Sequence, residues 1–182
     1  MDAHVWSPDD EQPLGPDGLV ALAGAHYVLT SVPPVGDWDR DPVLYTHGRD
    51  IIAMAAARWV GYLSSTSVYG EHGGEWVDEG SALHLPQDSD SLRSKAQARA
   101  QAESGWLELH RAHGVPVHIF RLGGIYGPGR SLLEGGRRRT SLGTNDTTRA
   151  RGGKRYISRC HVADIVAVLR ASMAQPSPGC VI

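Results

Sequence analysis

The sequence predicts an α/β fold built on a parallel sheet, and two similar stretches carry this prediction. Residues 59–63 are apolar or β-favouring and lead into the hydroxyl-bearing residues 64–67 and a Val-Tyr-Gly turn. Residues 117–122 form a second apolar run, which enters a glycine-rich turn. Each pattern indicates a buried strand that opens into a loop. Open parallel sheets bind ligands beyond the carboxyl ends of their strands, so we expect the chemistry at these turns. A loop that only caps a strand is the alternative.

Composition narrows the classes of function. A chain of 182 residues suits one domain with a substantial core. Its 18 basic and 20 acidic residues give a formal net charge of −2, which argues for a small-molecule partner rather than nucleic acid or an anionic membrane. No apolar run is long enough to span a membrane. The two cysteines, Cys160 and Cys180, are too few for a disulfide framework or a thiolate metal site, so we expect a reducing compartment, with the cytoplasm as default.

The first part of the chain predicts a leader, a strand and a helix. Residues 1–24 begin with an acidic, proline-rich segment that we expect to be a disordered leader rather than a targeting peptide. The β-branched run at 25–32 is predicted as the first strand, ended by prolines. Asp41 and Pro42 favour a helix start, and apolar residues at helical spacing extend that helix pattern as far as Trp59.

Residues 91–113 have the strongest helix propensity in the chain, and Gly114 stops them. One face of this helix is apolar. The other carries Lys95, Arg99 and Glu103 at a spacing of four residues. A charged stripe that faces solvent is the plain interpretation of these three residues.

The last third contains a polar segment and a second helix. Residues 131–153 are rich in glycine and arginine and lack interleaved aromatics, so we predict a flexible basic loop rather than an RNA-binding patch. Apolar spacing predicts a helix over 162–173, with Val162, Ile165, Val166 and Leu169 on one face. Cys180 opens what we predict to be a strand. The histidines near 110–118 lack a third ligand at a recognisable spacing, and we predict no metal site.

Four motifs occur in order: YLSSTSVYG, WVDE, RLGGIYGPGR and HVADI. Together they resemble the extended or atypical short-chain dehydrogenase/reductase superfamily, in particular its NAD-dependent epimerase/dehydratase group, over residues 25–182. The resemblance implies a Rossmann-like doubly wound parallel sheet with NAD or NADP as coenzyme. It also implies an oxidoreductase or isomerase that acts on a small, sugar-nucleotide-like substrate.

The resemblance assigns roles to residues at the predicted strand ends. Ser65 takes the place of the family's active hydroxyl, five residues before the closing glycine, and would orient a substrate carbonyl or hydroxyl. The residues that would contact substrate beside it are Thr66, Tyr126 and Arg130. The residues that would lie near the coenzyme are Ser31, Val32, Pro33, Ser64, Leu122, Gly123 and Gly124.

The sequence departs from the family at the catalytic Tyr-x-x-x-Lys pair, because no tyrosine lies between Tyr69 and Tyr126. Ser91 and Lys95 fill the two positions in one register, and Lys95 and Arg99 in the other. We prefer the second register, since Glu103 then falls four residues later, where the family often has an acidic residue. Lys95 and Arg99 therefore join Ser65 as the catalytic candidates. A serine is far too weak an acid to replace a phenol whose pKa is already about 10.

A second departure concerns the glycine-rich dinucleotide turn and the strands that carry it, which do not precede Tyr27. We therefore expect residues 25–182 to be a partial Rossmann-like domain that is incomplete at its N-terminus. Its first strand would be an exposed edge open to self-association. Two alternatives to an enzyme follow: a non-catalytic module that binds a small molecule or a partner, and a truncated product without independent activity.

Overall fold

The computed structural model describes residues 2–8, 12–34, 41–84, 91–130 and 158–182, with the backbone alone for residues 91–94. The helices in chain order are α1 Pro16–Ala23, α2 Pro42–Ile52, α3 Ser91–His113 and α4 Val162–Ala174. The strands are β1 Tyr27–Thr30, β2 Trp59–Ser65, β3 Val117–Leu122, β4 Gly124–Tyr126, β5 Arg159–His161 and β6 Cys180–Val181. A 3-10 helix, Thr66–Tyr69, follows β2 directly. The helix predicted over 91–113 is confirmed.

The main described sheet has the strand order β1-β2-β3-β6, and every neighbouring pair is parallel. The central pair aligns Tyr62 with Ile119 and Ser64 with Arg121. The predicted strand at Cys180 is confirmed, because β6 pairs with β3. Strands β4 and β5 form a separate parallel pair beyond the end of β3. The parallel α/β fold predicted from the sequence is therefore confirmed.

Helices cover both faces of this sheet, as the doubly wound prediction required. Side chains along a strand alternate between faces. Tyr62 and Ile119 point to the face covered by α2 and α3, where they pack with Ile51 and Trp106. The opposite face is covered by α4, and its buried cluster consists of Trp59, Phe120, Ile165 and Leu169. Each face thus has its own core.

The helix that begins at Asp41 is shorter than its apolar spacing predicted. Asp41 caps α2 by accepting a hydrogen bond from the backbone N–H of Leu44 at 2.9 Å, as the sequence indicated. The helix ends at Ile52, and Trp59 belongs to β2, so the helical pattern drawn through Trp59 was wrong. The backbone N–H of Trp59 donates to the carbonyl of His26 at 3.3 Å, which aligns Trp59 with β1.

Residues 1–24 contain a helix where a disordered leader was expected. Pro16 stands in the first turn of α1 and Asp17 is its acidic residue, both favourable at a helix start. Leu22 packs against the core on the α2 and α3 face, which provides tertiary support for this short helix. The leader prediction is corrected for residues 16–23. The predicted basic loop at 131–153 lies outside the described residues.

The predicted apolar face of α4 is only partly correct. Ile165 and Leu169 are buried, whereas Val162 and Val166 are 40% and 47% exposed. Met173 packs with the buried pair instead, one helical turn after Leu169.

Candidate functional site

The carboxyl ends of β1, β2 and β3 lie along one edge of the sheet because the three strands are parallel. Ser31 follows β1, Ser64 and Ser65 end β2, and Leu122 ends β3. Ser64 aligns with Arg121, and Ser65 aligns with Leu122. The structure therefore brings together strand ends that are far apart in sequence, at the edge where the sequence predicted a site.

Ser65 forms the junction between β2 and the 3-10 helix. Its Oγ accepts a hydrogen bond from the backbone N–H of Ser67 at 3.2 Å, and its backbone is still extended. Gly70 ends this turn at φ 72°, a conformation that favours glycine, and its missing Cβ would collide with the backbone of His84. Ser65 and Thr66 are both partly exposed. Their hydroxyls are thus held at a short, well-defined turn that a ligand can reach.

Ser64, the neighbour of Ser65, points to the opposite face and belongs to a buried polar network. Its Oγ donates to Glu103 Oε1 on α3 at 2.5 Å. Arg121 on β3 binds the same carboxylate through Nη2 at 2.7 Å and through Nε, which lies 3.2 Å from each oxygen. The side chains of Arg121 and Glu103 are only 8% and 4% exposed. This network joins the carboxyl ends of β2 and β3 to the middle of α3.

Arg121 also extends the network to the turn after Ser65. Its guanidinium carbon lies 4.8 Å from the centre of the Tyr69 ring, a cation–π distance. Burial lowers the pKa of Arg121, but the hydrogen bonds to Glu103 and the interaction with Tyr69 outweigh burial and raise the pKa above its usual value. Arg121 therefore remains charged in a buried environment.

A solvent-facing stripe is one of the two interpretations that the sequence allows for Glu103, and the sequence assigns no role to Arg121. For Glu103 the stripe interpretation is wrong, because the residue is 3% exposed. A charge spacing of four residues does not tell which face of a helix packs on the sheet. The sequence signal for this buried pair is the arginine inside the apolar run 117–122. A buried strand accommodates such a charge only with a partner of opposite charge.

The two catalytic candidates on α3 differ in environment. Lys95 is exposed, whereas Arg99 is partly buried one turn before Glu103. Burial raises the pKa of the Tyr62 hydroxyl, the Asp41 carboxylate raises it further, and the Arg99 guanidinium opposes the shift. Arg99 thus lies near the buried Tyr62 phenol. Because Tyr62 is fully buried and remains protonated, it does not replace the missing phenolic acid.

The glycine pair after β3 is explained at least in part by packing. A Cβ on Gly123 would lie 2.8 Å from Ser158 Oγ and 2.9 Å from its carbonyl oxygen. Gly124 begins β4 and aligns with Arg159 of β5, and it is exposed. Gly123 therefore allows the segment that leads into β5 to approach closely, while Gly124 is exposed but its N–H already donates to the Ser158 carbonyl at 2.9 Å. The coenzyme contacts of both glycines stay a prediction.

Tyr126 ends β4 and packs edge-on against His161, with ring centroids 5.0 Å apart. His161 caps α4 by accepting a hydrogen bond from the Ala163 N–H through Nδ1 at 3.2 Å. Arg130 is exposed and closes the tight turn that starts at Gly127. The substrate roles of Tyr126 and Arg130 stay predictions.

The segment after β1 borders a cavity of about 220 Å³. Ser31 and Val32 line it together with mainly apolar residues, among them Trp6 and Leu14. Pro33 is exposed beyond it. Pockets for drug-sized ligands hold roughly 300–1,000 Å³, so a dinucleotide would need the open sheet edge as well as this cavity.

Within the described parts of the chain, no group of three or more His, Cys, Asp or Glu residues is arranged to hold a metal ion. None of the described helices combines the length and apolar character needed to cross a membrane.

Comparison with known proteins agrees with this geometry. The model of the NAD dependent epimerase/dehydratase family matches residues 12–180. The chain therefore belongs to the NAD-dependent epimerase/dehydratase family, and its sheet is of the Rossmann-like type. A comparison with proteins of curated function gave no match.

Solved structures give the same fold. The chain is 38% identical to a functionally unknown conserved protein from Silicibacter pomeroyi DSS, with a TM-score of 0.64, over 92% of this chain and 60% of that one. RMD from Pseudomonas aeruginosa, complexed with NADPH, has 17% identity and a TM-score of 0.65 over 96% and 62% of the two chains. DesIV, a dTDP-glucose 4,6-dehydratase from Streptomyces venezuelae with NAD and TYD bound, has 17% identity and a TM-score of 0.64 over 90% and 54%. At 17% identity the likeness shows the fold alone. The chain spans less than two thirds of each of these structures.

Proposed function

We propose that this chain is an NAD(P)-binding, epimerase/dehydratase-like oxidoreductase or isomerase of the atypical short-chain dehydrogenase/reductase type. The substrate would be small and similar to a sugar nucleotide. Family membership supports the general kind of protein, and two structures of the same fold were obtained with NADPH or NAD.

The observation that carries the proposal is the meeting of two strand ends. Ser64 and Ser65 at the end of β2 align with Arg121 and Leu122 at the end of β3, and the next residues are the glycines before β4. The partly exposed Ser65 hydroxyl and the exposed Gly124 therefore lie at one edge of the sheet, beside the buried Arg121–Glu103 pair. The Ser65 hydroxyl can orient a polar ligand there.

The residues present fit one part of a dinucleotide. Exposed Ser31 and partly buried Val32 would border the coenzyme where β1 ends, and the exposed Gly124 would border it just after β3 ends. A bound nicotinamide would supply or accept a hydride. The Ser65 hydroxyl would donate a hydrogen bond to a substrate carbonyl or accept one from a substrate hydroxyl.

Proton transfer has no phenol on α3 to perform it. We propose that Lys95 and Arg99 occupy the family's two positions and act on charge and orientation. A guanidinium does not exchange its proton in acid–base catalysis under ordinary conditions, so Arg99 would orient a ligand instead of acting as an acid or base. Lys95 is exposed and would be able to contact a ligand at the outer margin of the site.

The missing phenol also favours a second candidate, a non-catalytic module that binds a small molecule at the same edge. Both candidates need the site to bind a ligand, but only the enzyme needs Ser65 for turnover. Incubating the coenzyme-loaded chain with nucleoside-diphosphate sugars and assaying their conversion distinguishes them. The enzyme candidate expects conversion that Ser65→Ala lowers by about 100-fold. Binding without conversion favours the module.

The first experiment is calorimetric titration of the folded chain with NADH and NADPH. We expect a dissociation constant below about 100 μM, equivalent to about 5.5 kcal/mol. Arg99→Met should weaken binding about tenfold, because it removes the partly buried cation of α3. Arg111→Met is the matched control, since Arg111 is on the same helix, is exposed and pairs only with Glu108 in the described structure. A folded chain that binds neither coenzyme would refute the proposal.

A further inference from the structure

Residues before and after Ser65 in the sequence are both connected to Glu103. Ser64 precedes it and donates to the Glu103 carboxylate. Tyr69 ends the turn after it and packs under the guanidinium of Arg121, which binds the same carboxylate. Glu103 is thus the common anchor for the strand before Ser65 and for the turn after it, although it does not contact Ser65 itself.

The geometry of this anchor is demanding. Three nitrogen–oxygen contacts of 2.7–3.2 Å and one hydroxyl contact of 2.5 Å converge on two carboxylate oxygens. Such a charge-assisted, forked arrangement fixes orientation as well as distance. Because the residues are almost fully buried, water cannot take over these contacts when one partner is lost.

Other restraints on the turn are tertiary contacts of its last residues: Val68 is fully buried, and the Tyr69 carbonyl accepts a hydrogen bond from the His84 N–H at 2.9 Å. The hydrogen bonds described within it are from the Ser67 N–H to Ser65 Oγ at 3.2 Å and from the Gly70 N–H to the Ser67 carbonyl at 3.2 Å. Both are local and near solvent, since Ser67 and Gly70 are exposed. Local exposed contacts of this kind open readily unless tertiary contacts hold the segment. The Arg121–Tyr69 contact is one of these tertiary contacts, and it is the one that connects the turn to Glu103.

We infer that Glu103 is a positioning residue that sets the orientation of the Ser65 hydroxyl and of the turn from Thr66 to Tyr69, acting through Ser64 and through Arg121 with Tyr69. The inference concerns the chain's own geometry. Its catalytic consequence rests on the proposed function, in which Ser65 contacts substrate.

Amide hydrogen exchange tests the positioning without a coenzyme or substrate. In Glu103→Gln the amides of Ser67 and Gly70 should exchange about tenfold faster, relative to the core amide of Tyr62 in the same variant. A side chain that only supports global stability would instead raise exchange at all three amides together. Equal acceleration, or no change at the turn in a folded variant, would overturn the inference.

Two further variants keep the test decisive. Ser64→Ala removes one contact to Glu103 and leaves the Arg121 pair intact, so it is the milder variant if Glu103→Gln does not fold. It should give the same local pattern with a smaller effect of about threefold. Glu108→Gln is the control, because Glu108 lies on the same helix and its pair with Arg111 is exposed. We expect its exchange to match the unmodified chain. Uniform exchange in Ser64→Ala would also contradict the positioning.

Turnover provides the link to function. If the chain converts substrate, Glu103→Gln and Ser65→Ala should each lower kcat, and the double variant should be no worse than Ser65→Ala alone, since both act through one hydroxyl. If the two losses in kcat multiply in the double variant, the catalytic part of the inference is refuted. If the unmodified chain neither binds coenzyme nor turns over, the proposed function fails, while the exchange pattern still decides whether Glu103 positions the turn.

Discussion

The two faces of the sheet differ most near the carboxyl ends of the strands. Two adjacent serines at the end of β2 show this difference. On the α3 face, Ser64 is buried and shares Glu103 with Arg121. On the α4 face, Ser65 is partly exposed and its hydroxyl accepts only a local backbone hydrogen bond. One residue of chain separates a structural hydroxyl from one that is available to a ligand. The strand alternation decides which serine is which.

Both faces bury polar groups. The α3 face buries the Glu103–Arg121 ion pair, and it also buries the Tyr62 hydroxyl and the Trp106 indole N–H, which have no hydrogen-bond partner among the described residues. The α4 face buries His118, whose two ring nitrogens have no hydrogen-bond partner among the described residues. His118 stacks on Trp59 with centroids 5.6 Å apart, and the Trp59 ring also covers Gly61. The buried Glu103 carboxylate therefore has a countercharge, whereas the buried imidazole of His118 has aromatic packing.

The largest expected effect comes from breaking the buried pair. Arg121→Met leaves the Glu103 carboxylate buried without its cation and should lower the free energy of unfolding by about 3–5 kcal/mol. The double variant Glu103→Met with Arg121→Met removes both charges and should be clearly more stable than Arg121→Met alone. Urea unfolding followed by circular dichroism measures both values. A double variant whose loss equals the sum of the single losses would mean that the two residues do not act as a pair.

A smaller effect is expected from overpacking the opposite face. In Gly61→Ala the new methyl group would overlap the Trp59 ring, so the ring or the strand must move. We expect a loss of about 1–3 kcal/mol in unfolding free energy, measured by chemical denaturation. In a Trp59→Leu background, Gly61→Ala should cost less than in the unmodified chain, because the smaller side chain leaves space for the methyl group. If Gly61→Ala alone does not change the unfolding free energy, the packing of the Trp59 ring does not require glycine at position 61.

His118 should make the stability of the α4 face depend on pH. Burial lowers the pKa of His118 below its ordinary value of 6.5. The unfolded chain therefore takes up a proton at this residue before the folded chain does, and stability falls as pH drops below 6.5 towards the folded pKa. Each unit of difference between the two pKa values contributes about 1.4 kcal/mol. His118→Phe keeps an aromatic ring beside Trp59 and should show a shallower pH dependence in urea unfolding. Identical slopes would contradict this prediction.

The smallest effect is expected for the exposed ion pair of α3. Glu108 and Arg111 have side chains that are both 63% exposed, so solvent screens their attraction. Glu108→Gln should change the unfolding free energy by no more than about 0.5 kcal/mol. Comparing Glu108→Gln with Arg121→Met separates the contribution of burial to the unfolding free energy from the contribution of charge. A loss as large as that of the buried pair would remove this distinction.

Much of the fold was predictable because it depends on local patterns. The apolar runs at 59–63 and 117–122 predicted the two central strands, and the composition of 91–113 predicted the longest described helix. The motif order predicted the family. Periodicity failed where it could not choose between elements, as at Trp59, whose spacing suits the helix before it but which lies in the strand.

The sequence by itself determined the parallel α/β class, the family and the strand ends at which a ligand site is expected, because strand propensity, turn glycines and motif order are all local in the chain. Only the tertiary structure decided that Glu103 and Arg121 form a buried pair and that Ser64 and Ser65 serve different faces. These facts depend on which side of α3 meets the sheet and on the register of β2 with β3. Neither the helix face nor the register is encoded by the spacing of charges alone, since both follow from packing between distant segments.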